Sequence, residues 1–222
     1  MRDYMLLGWR ALRRDPLFTA INLFGLSVGL AGCLLIVLFI RYERSFDDWL
    51  PDAERIYQVQ RIATSGTEAE RSYGQNAFVA ASVMPAQFPE VEAATALLEV
   101  SGVFRKDGQP FDLDDVYAAD ANVLDVLRLP LVAGDARTAL ADVDTMVLTE
   151  TSARRLFGRT DVVGRTVPRI GSNGDRMIRV TGVLRDLPPN SHLRINALYR
   201  VNLAARTSGN EIFTEWTWVA AF

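Results

Sequence analysis

The chain has 222 residues, 49% of them hydrophobic, with a formal net charge of −3 and one histidine. That balance argues against a nucleic-acid binder, which needs a basic stripe, and the lone Cys33 and lone His192 exclude a disulfide framework and multi-histidine metal sites. Beyond its one long apolar run the chain keeps about 175 residues, enough for one domain with a sizeable core or two small ones.

At the start, Tyr4, Met5, Leu7, Trp9 and Leu12 alternate with Arg2, Arg10, Arg13 and Arg14. Residues 1–16 therefore read as a short amphipathic segment in the cytoplasmic headgroup region, ended by Pro16, which redirects the chain. From Leu17 to Ile40, twenty-four positions pass without a charged side chain. At about 1.5 Å per residue such a helix exceeds the ~30 Å hydrocarbon core of a bilayer, and the expected transmembrane helix is 17–42. Its basic flank lies on the N-terminal side, whereas Arg41, Glu43, Arg44, Asp47 and Asp48 are mixed. By the positive-inside rule the N-terminus is expected inside and residues from about 45 onward outside, in the periplasm of a two-membrane bacterium.

Two other uses of this segment fit less well. A cleaved signal peptide has a shorter apolar region and a small-residue cleavage site, but the outer end here is the bulky Phe39-Ile40-Arg41-Tyr42. Leu30-Ala31-Gly32-Cys33 resembles a lipoprotein box, yet Cys33 is followed by seven more apolar residues, Leu34 to Ile40. A retained span is expected. Gly25, Gly29 and Gly32 share one face of it, with Asn22 nearby. Small residues at this spacing allow close helix–helix approach in lipid, so these three are the candidate packing residues, set against the general abundance of glycine in membrane helices.

In the remainder, Arg55–Ala63 alternates as a first strand, and Ala77–Gln87 reads as a short helix closed by Pro85 and Pro89. Val91–Phe104 is an apolar run returned through Lys106-Asp107-Gly108 to Pro110–Val116, a hairpin signal. Asp120–Leu127 looks helical from an Asp cap. Asp144–Leu148 is a strand, followed by a helix opened by Thr149 or Glu150 and ended at Phe157-Gly158. Arg165–Ile170 and Met177–Leu187 pair across Gly171–Gly174, and Ala197–Leu203 and Trp216–Ala221 complete the strands. Trp216 and Trp218 have strand spacing, for which sheet packing is the default. Hairpins mixed with β-α-β units make the class α+β.

No catalytic constellation emerges. Lys106, the only lysine, lies outside any GxxxxGK loop, so the chain is not expected to hydrolyse ATP. His192, in Pro188-Pro189-Asn190-Ser191-His192, reads as a solvated loop residue, and no Gly-x-Ser-x-Gly elbow is present. Asp112, Asp114, Asp115 and Asp120 lack calcium-loop spacing and read as a solvated strand edge. Neither an enzyme activity of its own, a metal nor another cofactor is expected.

Several motifs in a fixed order carry a resemblance: Pro16-Leu17-Phe18-Thr19-Ala20-Ile21-Asn22-Leu23-Phe24-Gly25-Leu26, Arg41-Tyr42-Glu43-Arg44-Ser45-Phe46-Asp47, Ala53-Glu54-Arg55-Ile56-Tyr57, Leu131-Val132-Ala133-Gly134-Asp135, Met146 through Gly158, and Val180 through His192. Together they resemble the MacB-like periplasmic core domain of ABC-transporter permeases in the FtsX-like family. The resemblance implies one transmembrane helix leading into an external domain of two parts (46–222), a β-α-β porter-like portion and an inserted mixed subdomain. It also implies a cytoplasmic ABC ATPase as partner, a permease homo- or heterodimer, and mechanical transmission across the inner membrane for export or extraction of substrate. Family members carry further transmembrane helices, and no second run of about 18 apolar residues follows Ile40. The chain is thus expected to be the N-terminal part of a longer permease, its last strand left with unpaired backbone groups. The alternative is a single-span tethered sensor or scaffold, for which about sixteen inner residues offer no folded output.

Overall fold

The computed structural model describes residues 14–63, 71–73, 76–77, 80–100, 102–171, 174–200 and 216–221. The chain divides into two compact units, Met1–Phe46 and Asp47–Phe222. The expected amphipathic segment before Arg14 lies outside the described residues.

The first unit is built on α1 (Pro16–Arg44), 29 residues and about 43 Å long. Its start is set by Asp15, whose carboxylate accepts from Phe18 N–H at 3.4 Å, and by Pro16 at a position where no intrahelical donor is needed. Arg41 and Arg44 sit in the last turn, favourable at the negative end of the helix dipole. The Ser45 N–H and hydroxyl then both donate to Tyr42 C=O, at 3.0 and 2.7 Å. The helix outruns the expected 17–42 because Glu43 and Arg44 keep its ladder until that cap. None of its residues is buried, and by length and composition it can cross a bilayer.

The second unit is organised by one curled sheet. Its described strands are β1 (Tyr57–Gln58), β4 (Asn76–Ala77), β5 (Ala94–Glu99), β6 (Val103–Lys106), β7 (Gln109–Asp112), β8 (Val116–Ala119), β9 (Leu131–Ala133), β10 (Thr145–Thr149), β11 (Thr166–Arg169), β12 (Arg176–Leu184), β13 (Ala197–Arg200) and β14 (Trp216–Ala221). They run in the order β1-β14-β5-β8-β13-β10-β12-β11-β6-β7, with β4 on β14 and β9 on β12. A separate hairpin pairs β2 (Arg61–Ala63) with β3 (Arg71–Tyr73). The pairs β10–β12 and β8–β13 are parallel and the rest antiparallel, giving the expected α+β class.

The central strands are covered on both faces. Along β10, Met146 and Leu148 enter one apolar cluster and Val147 the other, as period-two alternation requires. One face is closed by α4 (Glu150–Phe157) through Ala153 and Leu156. The other is closed by α3 (Val123–Val126) and the segment through Leu140. The start of α4 follows from Thr149, whose hydroxyl accepts from Ser152 N–H, and its end from Gly158 at φ 74°. The short α2 (Ala80–Gln87) packs Ala81 against Ala94 and Ala96.

Several expectations change. Arg55 belongs to a 3₁₀ turn, Ala53–Arg55, and the supposed first strand splits into β1 and β2. Pro85 sits inside α2 instead of closing it, and Phe88 N–H still reaches Met84 C=O. Val91–Phe104 is two strands, β5 and β6, parting around Gly102. Leu131–Ala133, quoted only as a motif, is a strand on β12. β12 ends at Leu184, where Arg185 N–H turns to Pro130 C=O. Residues beyond Arg200 in the expected Ala197–Leu203 strand lie outside the described ones. β14 is interior rather than unpaired, with Ala221 opposite Tyr57 on one side and Ala94 on the other.

Candidate functional site

At the start of the second unit, three residues after α1 ends, Asp47 bonds a loop of the same unit that lies 144 positions away in sequence. Asp47 has φ 60°, a left-handed conformation that a short polar side chain tolerates. Its N–H donates to Asn190 C=O at 3.1 Å and its own C=O accepts from Leu50 N–H at 2.9 Å. Its carboxylate then takes three bonds from the β12–β13 loop. Oδ1 accepts from the His192 N–H and the Ser191 hydroxyl, both at 3.0 Å, and Oδ2 lies 2.8 Å from His192 Nδ1. Pro188 and Pro189 restrict the approach of this loop, and Ser191 is buried while the His192 ring is exposed. Burial by itself raises the Asp47 pKa. The His192 ring and N–H, the Ser191 hydroxyl and the His192 charge outweigh it and hold the carboxyl below its ordinary 3.8.

The meeting of Asp, Ser and His invites comparison with a hydrolase triad, and the geometry excludes it. A triad needs the serine hydroxyl on the imidazole and the carboxylate behind. Here the Ser191 hydroxyl bonds Asp47 directly and also Leu193 C=O at 3.1 Å, so it does not sit on the imidazole with the carboxylate behind. The arrangement is a clasp. It holds a loop that contributes lining to two clefts, one lined also by Asp115, Thr149, Asp186 and Arg194, the other by Trp49, Leu97 and Tyr117. Asp186 is itself fixed by the Thr151 N–H and hydroxyl, at 2.9 and 2.7 Å.

Gly25, Gly29 and Gly32 lie on α1, where a Cβ added to any of them meets nothing within 4 Å, and Cys33 is exposed beside them. They belong to the other unit and contribute nothing to the clasp. His192 has the exposure expected of a loop residue but is anchored through Nδ1. Asp120 departs from the solvated acidic edge: it is half-buried and accepts from Ala96 N–H at 3.1 Å, with Arg200 3.8 Å away. Burial pushes its pKa up against the pull of the Ala96 bond and Arg200, and its carboxylate turns to β5, leaving Asn122 to precede α3. Trp216 and Trp218 fall in β14 as their spacing implies. Asp47 is the residue that sequence reasoning missed. It entered only as one charge of the mixed outer flank and as the last residue of one motif, with Ser191-His192 closing another.

Residues 19–219 match the family described as MacB-like periplasmic core domain. No curated protein sequence matches the chain. Among solved structures, a domain of a Porphyromonas gingivalis protein described as a permease is similar at 26% identity and a TM-score of 0.60, over 78% of this chain and 74% of that one. The periplasmic region of MacB from Actinobacillus actinomycetemcomitans aligns at 20% identity and a TM-score of 0.47, over 66% of this chain and 64% of that one. The extracellular domain of the ABC-type transporter YknZ from Gram-positive bacteria aligns at 18% and 0.42, over 60% and 65%.

Proposed function

The chain belongs to the MacB-like periplasmic core domain family of ABC-transporter permeases, and from that membership we propose that it couples a cytoplasmic ABC ATPase to an extracytoplasmic domain through α1. The observation that carries the reading is the extent of the family match, which begins inside α1 and ends inside β14. Helix and sheet therefore belong to one family pattern, not to an unrelated anchor and cargo. The clasp supports it: the chain is gripped by buried and backbone groups within three residues of the last helical residue. Any displacement of that segment must be passed to the β12–β13 loop or break the Asp47 bonds. The basic N-terminal flank supports an inside N-terminus and an outside sheet domain. ATP binding and hydrolysis fall to the partner subunit, and work on the substrate to the outer domain.

In this reading α1 packs against a second helix through Gly25 and Gly29, and Cys33 continues the same stripe at i+4 from Gly29. In native membranes containing the ATPase, oxidative cross-linking at Cys33 is expected to trap a permease dimer. Gly25→Leu with Gly29→Leu is expected to remove that cross-link and the ATPase-dependent activity together. Undiminished cross-linking and activity in the double variant contradict helix packing through this face.

A further inference from the structure

We propose that the cleft between residues 47–56 and the β1–β5–β8 region of the sheet binds an amphiphile with an apolar body and a cationic amine head. The cleft has a volume of about 640 Å³. Leu97 and Tyr117 line it from the sheet, Trp49, Leu50 and Ile56 from the segment after α1, and Leu193 from the clasped loop. All but Leu97 are only partly buried at the margin of the second apolar cluster, so apolar surface stays available where a ligand body would rest. A site of this size and lining is the usual form of a small-molecule pocket.

Charge selects the head group. Asp47, Glu99 and His192 line the cleft, and among the described residues neither lysine nor arginine does. Both Asp47 oxygens are taken by Ser191 and His192. Glu99 is exposed, and among the described residues its carboxylate has neither a hydrogen bond nor an ion pair. Burial raises the Tyr117 pKa, and the charges of Glu99 and Asp115 raise it further. A cation placed there gains from Glu99, and an anion is repelled. The indole supplies a third feature: Trp49 Nε1 is buried and meets no acceptor among the described residues. A buried donor left unmet is costly, and this one belongs to a residue that lines the cleft. The inference goes beyond the coupling reading, since binding needs no ATPase.

The test uses the full chain in nanodiscs of zwitterionic lipid, with empty nanodiscs as the reference for partitioning. Three probes share a naphthyl body: 2-naphthylethylamine, 2-naphthylethanol and 2-naphthylacetate. Ligand-observed NMR titration is expected to give saturable binding in the order amine, alcohol, carboxylate, with the amine ahead of the alcohol by about threefold, as suits an exposed charge pair. Glu99→Gln is expected to bring the amine down to the alcohol and leave the alcohol unchanged, which a merely structural role would not do. Ala53→Trp, which fills the cleft from a partly exposed position, is expected to remove all three, with circular dichroism confirming that it folds. Carboxylate binding equal to that of the amine, an unchanged amine preference in Glu99→Gln, or no saturable binding overturns the proposal and leaves the ATPase-coupling reading intact.

Discussion

Replacing Gly134 by alanine is expected to destabilise the sheet domain by about 2–4 kcal/mol, combining the cost of a left-handed alanine with that of overpacking. Gly134 has φ 97°, and a Cβ there would sit 2.5 Å from Thr181 O and 2.8 Å from Gly182 Cα. Both neighbours are backbone of β12, and Thr181 is tied down further by its hydroxyl bond to Met146 C=O at 3.0 Å. The strand cannot withdraw without breaking its ladder to β10. Gly158 is the matched control, since it has φ 74° and nothing within 4 Å of its added Cβ. Gly158→Ala is therefore expected to cost only about 1 kcal/mol. Thermal unfolding separates the two, because each kcal/mol moves Tm by about 2–4 °C in a domain of this size. Equal shifts for both variants would contradict the close approach of the 131–134 segment to β12.

Asp47→Ala is expected to have the largest functional effect. It removes the acceptor of three bonds from Ser191 and His192. The His192 ring returns to water at little cost, whereas the buried Ser191 hydroxyl keeps only its Leu193 bonds. The loss of stability is expected at about 1–3 kcal/mol, too small to unfold a typical domain. If α1 drives the outer domain through this clasp, the variant should retain ATP hydrolysis by the partner subunit and lose the transport-linked phenotype. Acid reports on the same contact. The folded pKa of Asp47 lies below 3.8, so its contribution to stability is fully present above that value and is lost as pH falls through the folded pKa. The wild type should lose its advantage over Asp47→Ala in that window, measured by denaturant unfolding across acid pH. A stability gap that does not shrink below pH 3.8, or full transport activity in the variant, would contradict the role given to Asp47.

What could be read from sequence divides along physical lines. The extents of α4 and β14, and the β6–β7 hairpin, were legible because each is specified locally. Thr149 caps α4 and Gly158 stops it, and Asp107-Gly108 supplies the positive φ values of 50° and 79° that the hairpin turn requires. The division of Val91–Phe104 was not legible, because both halves are apolar and the cause is tertiary: Gly102 C=O accepts from Leu113 N–H while Val100 N–H goes to Val116 C=O. Leu131–Ala133 was missed as a strand because three residues carry no periodicity. Its identity comes from pairing with Val183 and Leu184. The clasp was hidden for the same reason, since a carboxylate after a helix and a Ser-His pair in a proline loop each look ordinary until the fold joins them. Asp120 shows the converse: its place in an acidic run suggested solvent, and burial beside Ala96 and Arg200 decided otherwise.

The account rests on α1 crossing the membrane once with the sheet domain outside, and vectorial thiol labelling in intact cells tests that directly. With Cys33 replaced by alanine, a cysteine at the exposed Asp161 is expected to react with a membrane-impermeant maleimide without lysis, while an N-terminal tag stays attached and protected. Labelling at Asp161→Cys only after the inner membrane is opened, or loss of the tag together with α1 during export, would contradict it.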